Sequence, residues 1–286
     1  MSWARGSSRP TTTCLDGTDV ATVRIAVAST PLTTSLADAV PAAIAAVEEA
    51  GRLEAAIVCL PESGLPGHRV QSGLVADLAQ DALDDALASV AAAARQAGVA
   101  AIVGTERMTL AGREIVSVVI GADGRRLGEQ AKTQLDPSEE RDYVPGSARR
   151  VFAAGGLTFG IAICHEAFRY PEIARSLVLA GVQVVFVPHF VTTDDGSLPA
   201  TWCAPANPYN EKAIMLRALE NTVFVAAANI AGPEQGSITG IIAPDGRLVA
   251  SLEYGVAGVV AADLDLGLAT RGLALRWAPE RNAVAP

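Results

Sequence analysis

Three ionisable side chains stand at the ends of apolar runs, where a folded sheet would carry them to one edge. Cys164 ends LTFGIAIC, Glu62 closes VCLPE ahead of a Ser-Gly turn, and Lys132 follows a strand-like run in EQAKTQL. A thiol attacks as its anion, so it needs a base to take its proton and a cation to favour the charge. A half-buried carboxylate at Glu62 suits the base, and Lys132 offers the cation. Each residue alone has an ordinary alternative: cysteine is often buried for packing, glutamate can cap a turn, and lysine can sit solvated in a loop. His68, His165 and His189 suggest a second chemistry, in which a Cys-His pair does the work. His165 adjoins Cys164, but neighbours on a strand face opposite sides of it. His189, just past VVFVP, is better placed to share the edge and to touch a substrate.

Such placement needs strands covered by helices. From about Val23, β-branched apolar runs alternate with Ala-rich segments of helical period, which reads as α/β. VRIAVAS and AAIVCL are short buried strands, and between them a helix spans about Ser35 to Ala50, with Pro41 marking its start or a kink. A second long helix is expected from Val75 to Ala97, with Gly98 as its stop. AAIVGTE and EIVSVVIG follow as strands. The Asp-Gly pairs in ADGR (Ala122 to Arg125) and PDGR (Pro244 to Arg247) predict hairpins. LTFGIAIC and VQVVFVP are the most apolar strands and are expected at the centre of the sheet. A helix from Tyr209 to Asn221 leads into VFVAAAN, and GVVAADLDL closes the pattern. No internal repeat is visible.

The chain has 286 residues, half of them hydrophobic, which suffices for a large core. Residues 1–20 are small and polar and read as a loosely attached N-terminal extension, and residues 21–286 as one domain. Acidic residues outnumber basic ones, 31 to 22, the wrong sign for gripping phosphate backbones, so nucleic acid is not an expected partner. The stretch Ser176 to Thr193 contains Gly, Gln, Pro and His and falls short of the ~20 apolar residues of a membrane span. Without the apolar core of a secretory signal, the chain is expected to be cytoplasmic. Cys14, Cys59, Cys164 and Cys203 are far apart and lack the spacing of a disulfide framework or a zinc site.

LPE at Glu62, KTQLDPSEERDYVPG from Lys132 to Gly146, and GIAICHEAFRYPEIAR from Gly160 to Arg175 resemble, in this order, the three catalytic blocks of the nitrilase superfamily of carbon–nitrogen hydrolases. The likeness continues through VVFVPHF, RALENTVFVAAAN and IIAPDGRLVA, and covers about Val23 to Leu266. The resemblance implies a four-layer αββα sandwich, paired into homodimers through the helix after the cysteine. It places the family's glutamate, lysine and cysteine on Glu62, Lys132 and Cys164, and its second glutamate on Glu139, which would orient the lysine and the substrate. Two departures stand out. His165 and Glu166 follow the cysteine where most family amidases have an aromatic residue and Asp, which is nearer the Cys-Trp-Glu of nitrilases. Thr239 stands where many members carry Ser, a difference expected to bear on substrate shape.

The implied reaction is acyl transfer to water through a Cys164 thioester, with Glu62 as base and with Lys132 and the backbone N–H of His165 facing the developing oxyanion. This chemistry requires no metal or organic cofactor. The expected substrate is a small amide or N-carbamoyl compound, with a nitrile as the alternative; His165 and His189 are expected at the substrate. A non-catalytic metabolite-binding member of the fold is the remaining alternative. A thiolate poised at Cys164 is expected to alkylate faster than Cys59.

Overall fold

The computed structural model describes residues 22–72 and 74–281. The expected N-terminal extension, with Cys14, lies outside the described residues. The first sheet holds β1 (Thr22–Ser29), β2 (Ile57–Cys59), β3 (Ala100–Met108), β4 (Arg113–Ile120), β5 (Arg126–Ala131) and, from the far end of the chain, β12 (Gly258–Asp265). The second holds β6 (Val151–Ala154), β7 (Leu157–Ile161), β8 (Val184–Pro188), β9 (Phe224–Ala228), β10 (Gly240–Ile242) and β11 (Leu248–Ser251). The helices are α1 (Leu36–Arg52), α2 (Arg69–Ser72), α3 (Gln80–Ala97), α4 (His165–Arg169), α5 (Pro171–Leu179), α6 (Tyr209–Asn221) and α7 (Gly272–Leu275).

The sheet orders are β12-β1-β2-β3-β4-β5 and β6-β7-β8-β9-β10-β11. Each is an antiparallel edge strand, three parallel strands and an antiparallel pair. The chain thus builds one layout twice, although the sequence carries no repeat. In that correspondence β2 matches β8, so Leu60-Pro61-Glu62 and Val187-Pro188-His189 are counterparts.

Alternation along the strands separates two cores. Ile25, Val27, Ile57, Cys59 and Ile102 face the second sheet, where Phe159, Ile161 and Phe186 meet them. Ala26, Ala28, Val58, Ala101 and Val103 face α1 and α3. Helices α5 and α6 cover the outside of the second sheet through Ile173, Leu177, Ile214 and Ala218. The result is the expected four-layer αββα sandwich, since each sheet buries one face on its twin and the other on helices. Gly160 lets α5 approach: a Cβ there would lie 2.8 Å from Leu177 Cδ1.

Some expectations need correction. Helix α1 begins at Leu36, capped by the Ser35 hydroxyl accepting from Asp38 N, so Pro41 lies inside it. Helix α3 begins at Gln80 rather than Val75, because the preceding stretch serves Arg69: Val75 O, Ala76 O and the Asp77 carboxylate all accept from its guanidinium. Strand β8 is central, but β7 is one in from the edge because β6 pairs outside it. Both Asp-Gly hairpins form, joining β4 to β5 and β10 to β11.

Candidate active site

Glu62, Lys132, Glu139 and Cys164 converge where the loops after β2, β5 and β7 meet. Glu62 leaves β2 on a loop that crosses β3 so closely that a Cβ at Gly104 would sit 2.2 Å from Pro61 O. Cys164 occupies the turn from β7 into α4 at φ 50° and ψ −115°, and Ser63 beside Glu62 has φ 49°. A non-glycine residue costs about 1–3 kcal/mol in such backbone, so the surrounding contacts must hold it there. For Cys164 they include its N–H on Pro188 O at 2.9 Å and its carbonyl accepting from Ala167 N at 2.9 Å.

The Lys132 ammonium is fully buried and donates to Glu62 Oε1 at 2.8 Å and Glu139 Oε1 at 2.7 Å. Glu139 Oε2 accepts from Asp136 N at 2.8 Å. Glu62 is buried outright rather than half-buried, and its Oε2 accepts no hydrogen bond from any described residue. The Cys164 thiol donates to Phe190 O at 3.7 Å. Glu139 is the buried member of its pair and Glu140 is exposed.

One cation between two carboxylates decides the proton positions. Burial alone pulls the Lys132 ammonium toward neutrality, but Glu62, Cys164 and Glu139 outweigh it and raise its pKa above the ordinary lysine value. Burial pushes Glu139 up, yet the hydrogen bond from His68 and the Lys132 charge bring it below the usual carboxylate range. Burial and then the Glu62 charge push the Cys164 thiol well up, against the pull of Lys132. The thiol thus holds its proton until a base takes it.

His68 is the histidine at this centre, a role the sequence did not single out. It is buried, stacks on Phe190 with ring centroids 4.6 Å apart, and sets Nε2 3.5 Å from Glu139 Oε1 and 3.9 Å from Glu62 Oε2. Glu62, His68 and Glu139 could together approach a cation, but the Lys132 ammonium already occupies their midst.

His165 lies on α4, not on a strand, and its Nδ1 is 2.9 Å from Asp136 Oδ2. Its backbone N–H, first in the helix, precedes the helical hydrogen-bond ladder. His189 is fully buried, with Nδ1 2.9 Å from Val187 O and the Phe168 ring edge-on against it. Burial pulls it down to about 4, so it is neutral at pH 7. Its ring packs against helix α4, while its chain neighbours Pro188 and Phe190 accept from the Cys164 N–H and thiol.

Glu166 is also absent from the cluster. Fully buried, it accepts from Ile163 N at 2.7 Å, Thr133 N at 2.8 Å and Thr133 Oγ1 at 3.1 Å, and pairs with Arg149 at 2.5 Å. One carboxylate thereby ties the residue before Cys164 to the residue after Lys132. The Thr239 hydroxyl is engaged with the backbone of Asn229, at 2.9 Å from N and 3.2 Å from O, just beyond the end of the β9–β10 pair. Cys203 sits in a left-handed turn with Sγ 3.9 Å from Met215 Sδ, and burial pushes its thiol up to about 11.

Comparison with known proteins bears on the family and the fold. Residues 20–271 match the family model described as carbon-nitrogen hydrolase. An (R)-stereoselective amidase of a Pseudomonas species is 30% identical over 176 residues, 62% of this chain and 59% of that enzyme's length. The matched stretch thus spans about three-fifths of that relative. A nitrilase of Pyrococcus abyssi is 30% identical over 196 residues, covering 66% of this chain and 68% of the nitrilase. An amidase from Nesterenkonia sp. has the same fold, with a TM-score of 0.74 at 22% identity over 91% of this chain and 95% of its own. The family model spans nearly all of the two-sheet unit and all four converging residues, and the chain belongs to the carbon-nitrogen hydrolase family.

Proposed function

We propose that this protein hydrolyses the carbon–nitrogen bond of a small amide or N-carbamoyl compound through a Cys164 thioester. The observation that carries the reading is the buried Glu62–Lys132–Glu139 cluster beside the Cys164 thiol, with Glu62 Oε2 accepting no hydrogen bond from any described residue. Glu62 Oε2 takes the thiol proton as Sγ attacks the carbonyl carbon. The charge arising on oxygen is met by Lys132 Nζ and the His165 backbone N–H, donors worth a few kcal/mol each in a water-poor site. When the tetrahedral intermediate collapses, the carbon–nitrogen bond breaks and Glu62 gives its proton to the departing ammonia or amine. Glu62 then takes a proton from water, whose oxygen attacks the thioester; the acid leaves and the proton returns to sulfur. Glu139 holds Lys132 in place. His165 stands at the substrate through its backbone and through its Asp136 pair.

A panel of small amides, N-carbamoyl amines and nitriles, assayed for ammonia beside Cys164→Ala, tests this. Release from amides or carbamoyl compounds that vanishes in the variant is expected. Release from nitriles alone, or activity that survives the variant, overturns it.

Residues 21–286 are proposed to act as one domain, and the protein as a homodimer. Leu179 of α5, Leu216 of α6, Leu273 and Leu275 of α7, and Trp277 are exposed on the outer helical layer, an apolar face suited to pairing. Light scattering at micromolar concentration checks this: Leu216→Asp with Leu275→Asp should halve the mass. Among the described residues no helix is long and apolar enough to cross a membrane. The free thiols Cys59, Cys164 and Cys203 support a cytoplasmic location.

A further inference from the structure

A second group of buried charges adjoins the catalytic cluster without entering the reaction. Glu106, near the end of β3, is 3% exposed, and Arg69, the residue after His68, is 9% exposed. The guanidinium grips the carboxylate at two points, Nε on Oε2 at 2.7 Å and Nη2 on Oε1 at 2.5 Å. Its remaining N–H groups go to Val75 O, Ala76 O and Asp77 Oδ1, so every donor of Arg69 is engaged. A fork held at both points fixes direction as well as distance.

The same carboxylate reaches the turn that carries Glu139. Tyr143, also buried, sets its hydroxyl 3.5 Å from Glu106 Oε2. Tyr143 N and Asp142 N both donate to Glu139 O at 2.9 Å, which closes that turn. Arg113 adds a second cation, its Nε 3.6 Å from Glu106 Oε2. The segment bearing His68 and the turn bearing Glu139 are therefore fastened to one point on β3.

That fastening has a specific object. Neither His68 nor Glu139 lies in a helix or a strand, so no ladder of backbone hydrogen bonds fixes their separation. Burial raises the Glu139 carboxyl, and the hydrogen bond from His68 is the strongest of the effects that bring it down. Glu139 in turn receives the Lys132 ammonium at 2.7 Å.

We propose that Glu106 is a positioning residue: through Arg69 and Tyr143 it sets His68 against Glu139, and so keeps the Glu139 carboxylate aimed at Lys132. The Arg69–Glu106 pair is neutral as a whole, and it fixes the two segments without adding net charge beside one cation held between two carboxylates. This rests on the hydrolase reading above and adds to it a residue that acts through others.

Two variants loosen the pair in different ways. Glu106→Gln keeps the shape and loses the charge; Arg69→Lys keeps the charge and loses the fork, and holds the test open if the first fails to fold. Ammonia release from an amide that the protein turns over gives kcat and KM for wild type, Glu106→Gln, Arg69→Lys and His68→Phe, and for Glu106→Gln and Arg69→Lys each combined with His68→Phe, at a temperature where circular dichroism shows the variants folded. Each of the two should lower kcat about tenfold, the scale of one charge-assisted hydrogen bond, with KM within about twofold of wild type. In the His68→Phe background the further loss should stay under about twofold, because the hydrogen bond that Glu106 serves is already gone. Wild-type kcat in the folded variants overturns the proposal, and so does an undiminished tenfold loss in the His68→Phe background, which marks a general structural role. A second readout needs no turnover. In protein carrying isotope-labelled histidine, the His68 side-chain N–H resonance, identified by its absence from His68→Phe, should shift or vanish in Glu106→Gln. A His68 resonance unmoved by that substitution overturns the proposal whether or not the amide is hydrolysed, whereas a shifted resonance in a protein that releases no ammonia contradicts the hydrolase reading alone.

Discussion

Replacing Glu166 tests whether the site's geometry depends on a residue that never touches the reaction. Glu166→Leu removes the acceptor for Ile163 N, Thr133 N and the Thr133 hydroxyl, and leaves the Arg149 guanidinium, 17% exposed, without its carboxylate. Breaking such a pair from one side costs roughly 3–5 kcal/mol, much of it the penalty on the partner left behind. Arg149→Leu should cost less, about 2–3 kcal/mol, because Glu166 keeps three donors. In the double variant two apolar side chains face each other, and the loss should fall short of the sum by at least about 2 kcal/mol. Activity should follow a different rule. The double variant regains stability but not the ties from Ile163 to Thr133, so Cys164 at φ 50° and Lys132 are no longer held in common register. A misplacement near 1 Å costs on the order of a hundredfold, so kcat should stay depressed by about that factor in Glu166→Leu and in the double variant alike. Urea unfolding gives the cycle, and ammonia release gives kcat. Additive stability losses, or a double variant with wild-type kcat, would refute the reasoning.

Other perturbations read other parts of the account. His189, pulled down to about 4 by burial, binds fewer protons folded than unfolded between about pH 4 and 6.5. Its contribution is therefore complete above the unfolded pKa and is lost as pH falls: about 2 kcal/mol between pH 7.5 and pH 5, a loss that His189→Leu should abolish in urea unfolding across that range. Because burial and the Glu62 charge raise the Cys164 thiol, its alkylation by iodoacetamide should climb with pH to 9 without a plateau, and Lys132→Gln should slow it; a plateau near pH 6 contradicts a neutral resting thiol. His68→Phe keeps a ring against Phe190 but removes the donor to Glu139, so kcat should fall about tenfold, as one charge-assisted hydrogen bond allows, with stability within about 1 kcal/mol of wild type.

Much of this was legible in the sequence because period and turn chemistry are local. Strand alternation, the Asp-Gly hairpins and the Gly98 stop survive in the structure because tertiary contacts agree with them. Helix α3 begins later than its apolar spacing predicts because Arg69, buried against Glu106, draws Val75 to Asp77 into its hydrogen bonds. His189 follows an apolar strand as Glu62 does, but nothing local announces that its Nδ1 turns to Val187 O and its ring to Phe168. His68 stands in a loop without periodicity, where nothing local announces that it faces Glu139. Glu166 stands out in the sequence only as a departure from the amidase pattern, and the α4 turn reveals that it points back toward Thr133 and Arg149.

The central claim is a covalent acyl group on Cys164, released with help from Glu62. Glu62→Gln and wild type, mixed with a small amide that the protein turns over, acid-quenched and mapped by peptide mass spectrometry, test it directly. The account predicts an adduct of the acyl mass, confined to the Cys164 peptide of wild type during turnover and far scarcer in Glu62→Gln, where no base takes the thiol proton. Turnover with no adduct on that peptide, or with undiminished rate in Cys164→Ala, would contradict it.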